Sequence, residues 1–122
     1  MANKVFRNSL GIIEIHVVGD QDDASVREMA EAAIRLAAAC RQADEPVLIL
    51  DNLLQIGEVP PSARQVVVDY GKKMDYDRLA MLGNHPLLRL GTNLLITAVG
   101  KGSRIRYLDD EAAALRWLLG DV

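Results

Sequence analysis

The short apolar run at residues 46–51, PVLILD, constrains the fold of this chain more than any other segment. Its Leu, Ile and Val side chains do not alternate with polar ones, which predicts a strand that is covered on both faces and lies centrally in a sheet. Residues 78–83, RLAMLG, and 104–108, RIRYL, predict two further strands. Parallel strands need long crossover connections, so we expect helices between them.

Two amphipathic helices are predicted on either side of this central strand. Apolar side chains recur at steps of three and four over residues 26–40, and Ser25 with Glu28 predicts a capping box at the start of that helix. After a loop, Ser62 with Gln65 predicts a second capping box, and apolar residues follow with the same spacing. The central strand is therefore expected between two helical connections.

The remaining segments complete an alternating order. Residues 3–7 and 12–18 predict an opening hairpin, because a turn joins them and the second alternates between apolar and polar side chains. Residues 86–99 predict a helix that is apolar nearly all round, and a last helix is predicted with Asp109 or Asp110 as its cap. The order β-β-α-β-α-β-α-β-α predicts an α/β fold with a mixed, mostly parallel sheet.

Length and composition limit the classes of protein to consider. The 122 residues predict a single domain, residues 1–122. The formal net charge is −3 and there is no basic stripe, which argues against nucleic-acid binding. Cys40 is the only cysteine, so no intrachain disulfide can form, as is typical of a reducing compartment. No signal peptide or membrane-spanning apolar stretch is evident, so we expect a cytoplasmic protein, with peripheral membrane association left open.

Asp51 raises the question of a phosphoacceptor, because a response-regulator receiver carries an aspartate at the end of its third strand. Acidic residues at 20–23 follow one strand and Lys101 lies late in the chain, as such a site would need. The spacing excludes a receiver, since only one helix separates the acidic cluster from Asp51 and Lys101 precedes the last strand. We interpret Asp51 as a strand-end residue whose carboxylate accepts hydrogen bonds from loop amides.

Motifs for catalysis or metal binding are not evident in the sequence. His16 and His85 are the only histidines, and they have no ligand-like spacing with Cys40. The GKGSR segment at 100–104 lacks the earlier glycine and the following helix of a phosphate-binding loop. We therefore predict no catalytic residue, no metal and no cofactor, and a protein that is not an enzyme.

The apolar helix at residues 86–99 needs cover on both of its faces, because a helix that is hydrophobic all round is normally buried all round. One face is expected to meet the sheet. The other face needs a partner subunit, an apolar ligand, a membrane surface, or cover by the second helix and residues 117–119 of the same chain.

Several segments, taken in order, resemble the STAS-like family, in particular its SpoIIAA-like branch of the STAS/SEC14 type. They are the hairpin ending GIIEIHVVG, the strands VLILD and RLAMLG, and the closing IRYLDDEAAALRWL. The resemblance spans nearly the whole chain, and it implies a sheet with helices packed mainly on one side and no catalytic role. It also implies a homodimer and association with an apolar ligand or a membrane, as in the similar lipid-binding SEC14-type domains.

The resemblance implies two candidate sites. The leading hypothesis is a small apolar molecule or lipid held beneath residues 86–99, with walls from that helix and the loop after the central strand: Leu54, Ile56, Val59, Leu87, Leu90 and Leu94. The alternative is a protein-interaction regulator of the anti-sigma-factor-antagonist kind, switched by phosphorylation of Ser62. The Asp-Ser-x-Gly pattern of those regulators is absent around Ser62, which follows two prolines.

Overall fold

The computed structural model of the chain describes residues 2–120, apart from the side chain of Leu87. The predicted order of elements is confirmed. In chain order the elements are β1 (Lys4–Arg7), β2 (Ile13–Gly19), α1 (Asp23–Gln42), β3 (Leu48–Ile56), α2 (Pro61–Lys73), β4 (Arg78–Leu82), α3 (Pro86–Val99), β5 (Ile105–Leu108) and α4 (Glu111–Leu118).

The five strands form one sheet in the order β1-β2-β3-β4-β5. The pair β1–β2 is antiparallel and the other three pairs are parallel. Right-handed crossovers between successive neighbours place their helices on one face, so α1, α2 and α3 share a face of the sheet. The last helix, α4, packs on the other face against β3, β4 and β5. The prediction of helices mainly on one side is therefore confirmed.

Two cores result from this layering. The larger core lies between the sheet and α1–α3, and it contains Ile13, Ile49, Met81 and Tyr107 together with the alanine face of α1. The smaller core lies under α4 and is built around Leu50, Leu82 and Leu118. Successive strand residues alternate between the two cores because side chains alternate across a strand.

The starts of α1 and α2 differ from the predictions, whereas Asp110 caps α4 as predicted. Asp22, not Ser25, is the N-cap of α1: its Oδ1 accepts from the Ser25 amide at 2.8 Å, and Ser25 Oγ accepts from the Asp22 amide at 2.9 Å. The capping box therefore lies one turn earlier than predicted, since a carboxylate also suits the positive end of the helix dipole. Helix α2 begins at Pro61, whose fixed φ suits a first helical position, so Ser62 is not its cap.

Strand β3 is longer than predicted and continues five residues beyond Asp51, to Ile56. Opposite the step from His16 to Val18 on β2, it advances from Asn52 to Gln55, which inserts one extra residue as a β-bulge. Asn52 Oδ1 accepts from the Leu54 amide at 3.0 Å, which satisfies a backbone donor at the bulge. The predictions that Leu54 and Ile56 lie in a loop and that Asp51 ends the strand are therefore wrong.

Candidate functional site

Helix α3 is the least buried of the apolar elements. Of its described residues only Thr92 and Val99 are buried, whereas α1 buries six. Leu88, Leu95 and Ile96 are half-buried against the larger core. Of the four alternatives for its outward face, cover by residues 117–119 is wrong, because α4 packs on the opposite face of the sheet.

The outward side of α3 carries an exposed apolar surface. Leu90 is 59% exposed and Leu94 is 66% exposed, and residues four apart lie on the same side of a helix. Gly91, between them, has no neighbouring group within 4 Å of the position its Cβ would take. We call Leu90, Gly91 and Leu94 the α3 patch.

Two close approaches at glycines hold α3 to the rest of the fold. A Cβ on Gly83 would lie 2.5 Å from Leu88 Cδ2 and 2.7 Å from the Tyr107 hydroxyl oxygen, so the first turn of α3 touches the end of β4 directly. A Cβ on Gly71 of α2 would lie 2.8 Å from Val99 Cγ2, which fixes the last turn. These approaches fix the two ends of the helix, while Thr92, Leu95 and Ile96 are packed along its middle.

Polar contacts at the two ends of α3 are also few. The Arg89 guanidinium lies 4.7 Å from the centre of the Tyr107 ring and 3.5 Å from Asp109. Just beyond the last turn, Lys101 Nζ donates to the Met74 carbonyl at 2.7 Å. All of these contacts lie at the rim of the larger core, and none of them crosses the middle of the helix.

Asp51 lies in the sheet face beneath the three helices. In the strand register Asp51 stands between Ile15 on β2 and Met81 on β4, and Tyr107 on β5 follows Met81 in the same row. Ile15, Met81 and Tyr107 all belong to the larger core, so the Asp51 side chain faces that core. Strands β4 and β5 each end one residue after this row, so Asp51 is close to the carboxyl-terminal edge of the sheet.

The environment of the Asp51 carboxyl group is unfavourable for a charge. Although the residue as a whole is only half-buried, its Oδ1 is shielded from solvent and has no hydrogen-bond partner. Burial raises the pKa of Asp51 to about 7. A buried polar atom without a partner costs about 1–3 kcal/mol of stability, so this position carries a penalty that an apolar residue would avoid.

Tyr76 is the other described residue with a buried side-chain oxygen that lacks a partner. It precedes β4 at the opposite edge of the sheet, and burial raises the pKa of its phenol to about 12. A phenol that stays neutral can be accommodated in an apolar site more readily than a carboxyl group, and Lys101 lies 4.9 Å from the centre of its ring. Asp51 is therefore the more unusual of the two.

The structure does not bring the predicted ligand-binding residues into one cavity. Leu54 is 41% exposed on β3, and Ile56 packs against the larger core. Val59 instead contacts the small cluster between α1 and α2 that contains Val26. Leu90 and Leu94 face outward, and the side chain of Leu87 lies outside the described residues.

A surface cavity is found elsewhere, between α1 and the end of α2. Its volume is about 390 Å³, and none of the predicted ligand-binding residues lines it. The lining residues are Ile34, Ala37, Ala38, Lys73, Met74 and Asp75. Among its described residues, the structure therefore offers no deep preformed pocket at the predicted site. It offers two other features, the apolar α3 patch and the unpartnered carboxyl group of Asp51 at the sheet edge.

Ser62 occupies the second position of α2 and is exposed. Its Oγ donates to Asp23 Oδ1 at 2.8 Å, which links the start of α2 to the start of α1. A helix N-terminus favours added negative charge, but the Asp23 carboxylate next to it opposes such a charge. The prediction of a switch at Ser62 stays a prediction.

Sequence reasoning overlooked Asp51 as a site residue, although a signal was present. The spacing of Ile49, Asp51 and Leu53 continues the alternation of a strand and places all three on one face. An acidic residue between two apolar ones on the same buried face is unusual, since aspartate is rarely buried without a partner. Following the alternation beyond residue 51 would have identified it.

Other chemistry of the described residues is limited. Within residues 2–120, no group of three or more His, Cys, Asp or Glu side chains is arranged to hold a metal ion. His16 Nε2 lies 2.9 Å from Glu14 Oε1, and its ring stacks on Phe6 with centroids 5.5 Å apart. In the same part of the chain, every helix is too short or too polar to cross a membrane.

Comparison with solved structures decides the fold. A crystal structure of an uncharacterized protein of the DUF3478 family from Shewanella loihica PV-4, described as having a SpoIIAA-like fold, matches with a TM-score of 0.65. The match covers 96% of this chain and 92% of that chain. The fold is SpoIIAA-like. At 18% sequence identity the likeness establishes the fold alone. No protein-family model and no curated protein matches the chain.

Proposed function

We propose that this SpoIIAA-like protein is a non-enzymatic module that binds a small apolar molecule through α3. One observation carries the proposal: α3 exposes Leu90 and Leu94 on its outward side, and none of its described leucine or isoleucine side chains is buried. Such a helix can exchange contacts with the sheet for contacts with a ligand at little cost, because apolar burial is not directional. A bound acyl or alkyl chain would cover the α3 patch and the half-buried residues beside it.

The position of α3 also supports a ligand at this edge of the fold. Parallel α/β sheets bind ligands outside the carboxyl ends of their strands, and only three residues separate the end of β4 from the start of α3. The extended end of β3, with Leu54 and Ile56, lies at the same edge. These two residues remain candidate walls, whereas Val59 already packs between α1 and α2.

Mutation of the patch tests the proposal. Native mass spectrometry and an organic extract of the purified protein identify any bound molecule, and dodecanol titrated into delipidated protein measures its affinity. We expect Leu90→Gln with Leu94→Gln to fold normally, because both side chains are exposed, and to weaken dodecanol binding at least tenfold. Leu10→Gln is the matched control, since Leu10 is 55% exposed in the turn between β1 and β2.

Two other occupants of the patch would give different results. Equal dodecanol binding by the double variant and the control would overturn the proposal. A ligand-free dimer that dissociates only in the double variant would make the patch a subunit interface, as expected for a homodimer. Binding to lipid vesicles without binding to free dodecanol would place the same leucines at a membrane surface.

Ser62 supports a second candidate function, a phosphorylation-controlled protein interaction. The observation in its favour is that the Ser62 hydroxyl is exposed at the start of α2, where its bond to Asp23 joins two helices. A phosphate there would replace this bond by repulsion and change the α1–α2 surface. Ser62→Asp should then abolish capture of a protein partner that Ser62→Ala retains, and equal capture by both variants would count against the switch.

A further inference from the structure

We propose that Asp51 is the polar anchor of the ligand site and that the ligand carries a protonated amine at the end of its apolar chain. This inference rests on the proposed function and specifies the class of molecule that α3 would cover. It starts from the position of Asp51 in the row Ile15, Asp51, Met81 and Tyr107, with an oxygen that is shielded and unpartnered.

No described cation is paired with Asp51. The titratable side chains of the larger core are Tyr107 on β5, Tyr70 on α2, Tyr76 before β4 and Cys40 on α1, and Arg89, which lies over the Tyr107 ring, is paired with Asp109. No ion pair of the described residues includes Asp51, and desolvation is the only cause of its raised pKa. The charged form of this carboxyl group therefore lacks a counter-charge that a ligand can supply.

A protonated amine fits this requirement better than an alcohol or a carboxylic acid. Its N–H groups can donate to the unpartnered oxygen, and hydrogen bonds between two ionised groups are about twice as strong as those between neutral groups. An opposite charge close to a carboxyl group also favours its ionised form, which reverses the effect of burial. A carboxylate ligand would instead place two negative charges together.

The residues near Asp51 at this edge of the sheet can adapt to a ligand. Met81, next to Asp51 in the row, has a flexible side chain that adapts to irregular gaps. Gly83, two residues further on, has no side chain, and Leu88 from the first turn of α3 fills the space above it. Displacement of this turn would open a path from the sheet edge to the carboxyl group, with the alkyl chain along α3.

Three probes of equal chain length test the anchor: dodecylamine, dodecanol and laurate, each below its aggregation concentration. At pH 8 we expect wild-type protein to bind dodecylamine at least tenfold more tightly than dodecanol, and laurate most weakly. Asp51→Asn should reduce dodecylamine binding to the level of dodecanol, while its dodecanol affinity stays within about twofold. Isothermal titration calorimetry on the full chain gives all six affinities.

A pH series on wild-type protein tests the same inference without a variant. With the pKa of Asp51 at about 7, lowering the pH from 8 to 6 should weaken dodecylamine binding about tenfold, because the carboxyl group must lose its proton to pair with the amine. Dodecanol binding should change little over this range, which separates the titration of Asp51 from a general loosening of the fold.

The outcomes separate this inference from the proposed function. Equal binding of the three probes, unchanged in Asp51→Asn and with pH, would overturn the amine anchor and leave the apolar site standing. Absence of binding by all three probes would overturn the proposed function and the anchor with it. Selective amine binding that persists in Asp51→Asn would also overturn the anchor, because another group would then hold the amine.

Discussion

Acidic side chains at the two ends of the parallel strands differ in whether they have hydrogen-bond partners. At the amino-terminal edge of β4, Arg41 forms a bidentate pair with Asp75, with N–O distances of 2.7 and 3.0 Å, and it donates to Asp77 at 2.9 Å. Asp77 also accepts from the Val47 amide at 2.8 Å, and these partners lower the pKa values of both aspartates. At the other edge, Asp51 has a shielded oxygen without a partner and a raised pKa.

This difference suggests that the acidic residues at one edge stabilise the fold and that Asp51 at the other edge does not. The aspartates around Arg41 are partly exposed and satisfied by the chain itself, so they tie α1 to the start of β4. The buried Oδ1 of Asp51 costs stability, because it has no hydrogen-bond partner within the described residues. Groups that destabilise a fold are commonly retained where activity needs them, which supports the ligand site proposed at the edge that holds Asp51.

The largest expected effect is the pH dependence of stability due to Asp51. Its native pKa of about 7 lies above the ordinary value of 3.8, so the native state holds more protons between these pH values. The contribution of Asp51 is therefore fully present below about pH 4 and is lost as the pH rises to about 7, by a total on the order of 4 kcal/mol. Urea unfolding of wild-type protein from pH 4.5 to 8 should show this decline.

Asp51→Asn is the control for this decline, because the amide has nearly the same shape and does not titrate in this range. We expect its free energy of unfolding to be nearly flat from pH 4.5 to 8 and to exceed that of the wild type at pH 8. Below about pH 4 both proteins should lose stability, since the lowered pKa values of Asp75 and Asp77 act in the opposite direction. Equal slopes in the two proteins would show that Asp51 is ionised in the native state.

The next largest effect concerns the first turn of α3, which packs against the end of β4 near Asp51. Gly83→Ala would place a methyl group against Leu88 and Tyr107, and we expect it to lower the free energy of unfolding by about 1–3 kcal/mol by displacing the first turn of α3. Gly91→Ala, in the same helix but without neighbours, should raise it by about 0.5–1 kcal/mol. If water then reaches Asp51, the pH dependence of the free energy of unfolding should weaken in Gly83→Ala and not in Gly91→Ala. That result would show that the first turn of α3 helps to exclude water from Asp51.

The sequence predicted the fold well because the switch between two-residue and helical periods is a strong signal. It failed at Asp51 because the charge of one residue was given more weight than the alternation of Ile49, Asp51 and Leu53, which continues through it. For α3 the sequence left several kinds of cover open, for another reason. The apolar composition of α3 indicates how much of its surface should be buried, but it does not indicate which element buries it. The placement of α4 on the opposite face depends on how the chain leaves β5.

Removing a carboxylate from the amino-terminal edge of β4, where the acidic side chains are paired, should have a smaller effect on the free energy of unfolding. Asp77→Ala leaves the Val47 amide, in a fully buried residue, without its acceptor, and we expect a loss of about 1 kcal/mol in urea unfolding. Asp75→Ala is the matched control, because Asp75 bonds only to the exposed Arg41 side chain, and its loss should be smaller still. Equal losses would mean that the ion pair, and not the bond to the backbone, stabilises this edge.

The smallest expected effect completes the comparison between paired and unpaired acids. Ser62→Ala removes the hydroxyl that donates to Asp23, so Asp23 loses this partner, as Asp51 lacks one. Because this contact is exposed, water can replace the hydroxyl, and we expect the free energy of unfolding to change by less than about 0.5 kcal/mol. A larger loss would show that the α1–α2 link stabilises the fold even in contact with water. If the change is as small as expected, an acid without a protein partner is costly only where water is excluded, and the penalty at Asp51 follows from its burial in the core face of the sheet.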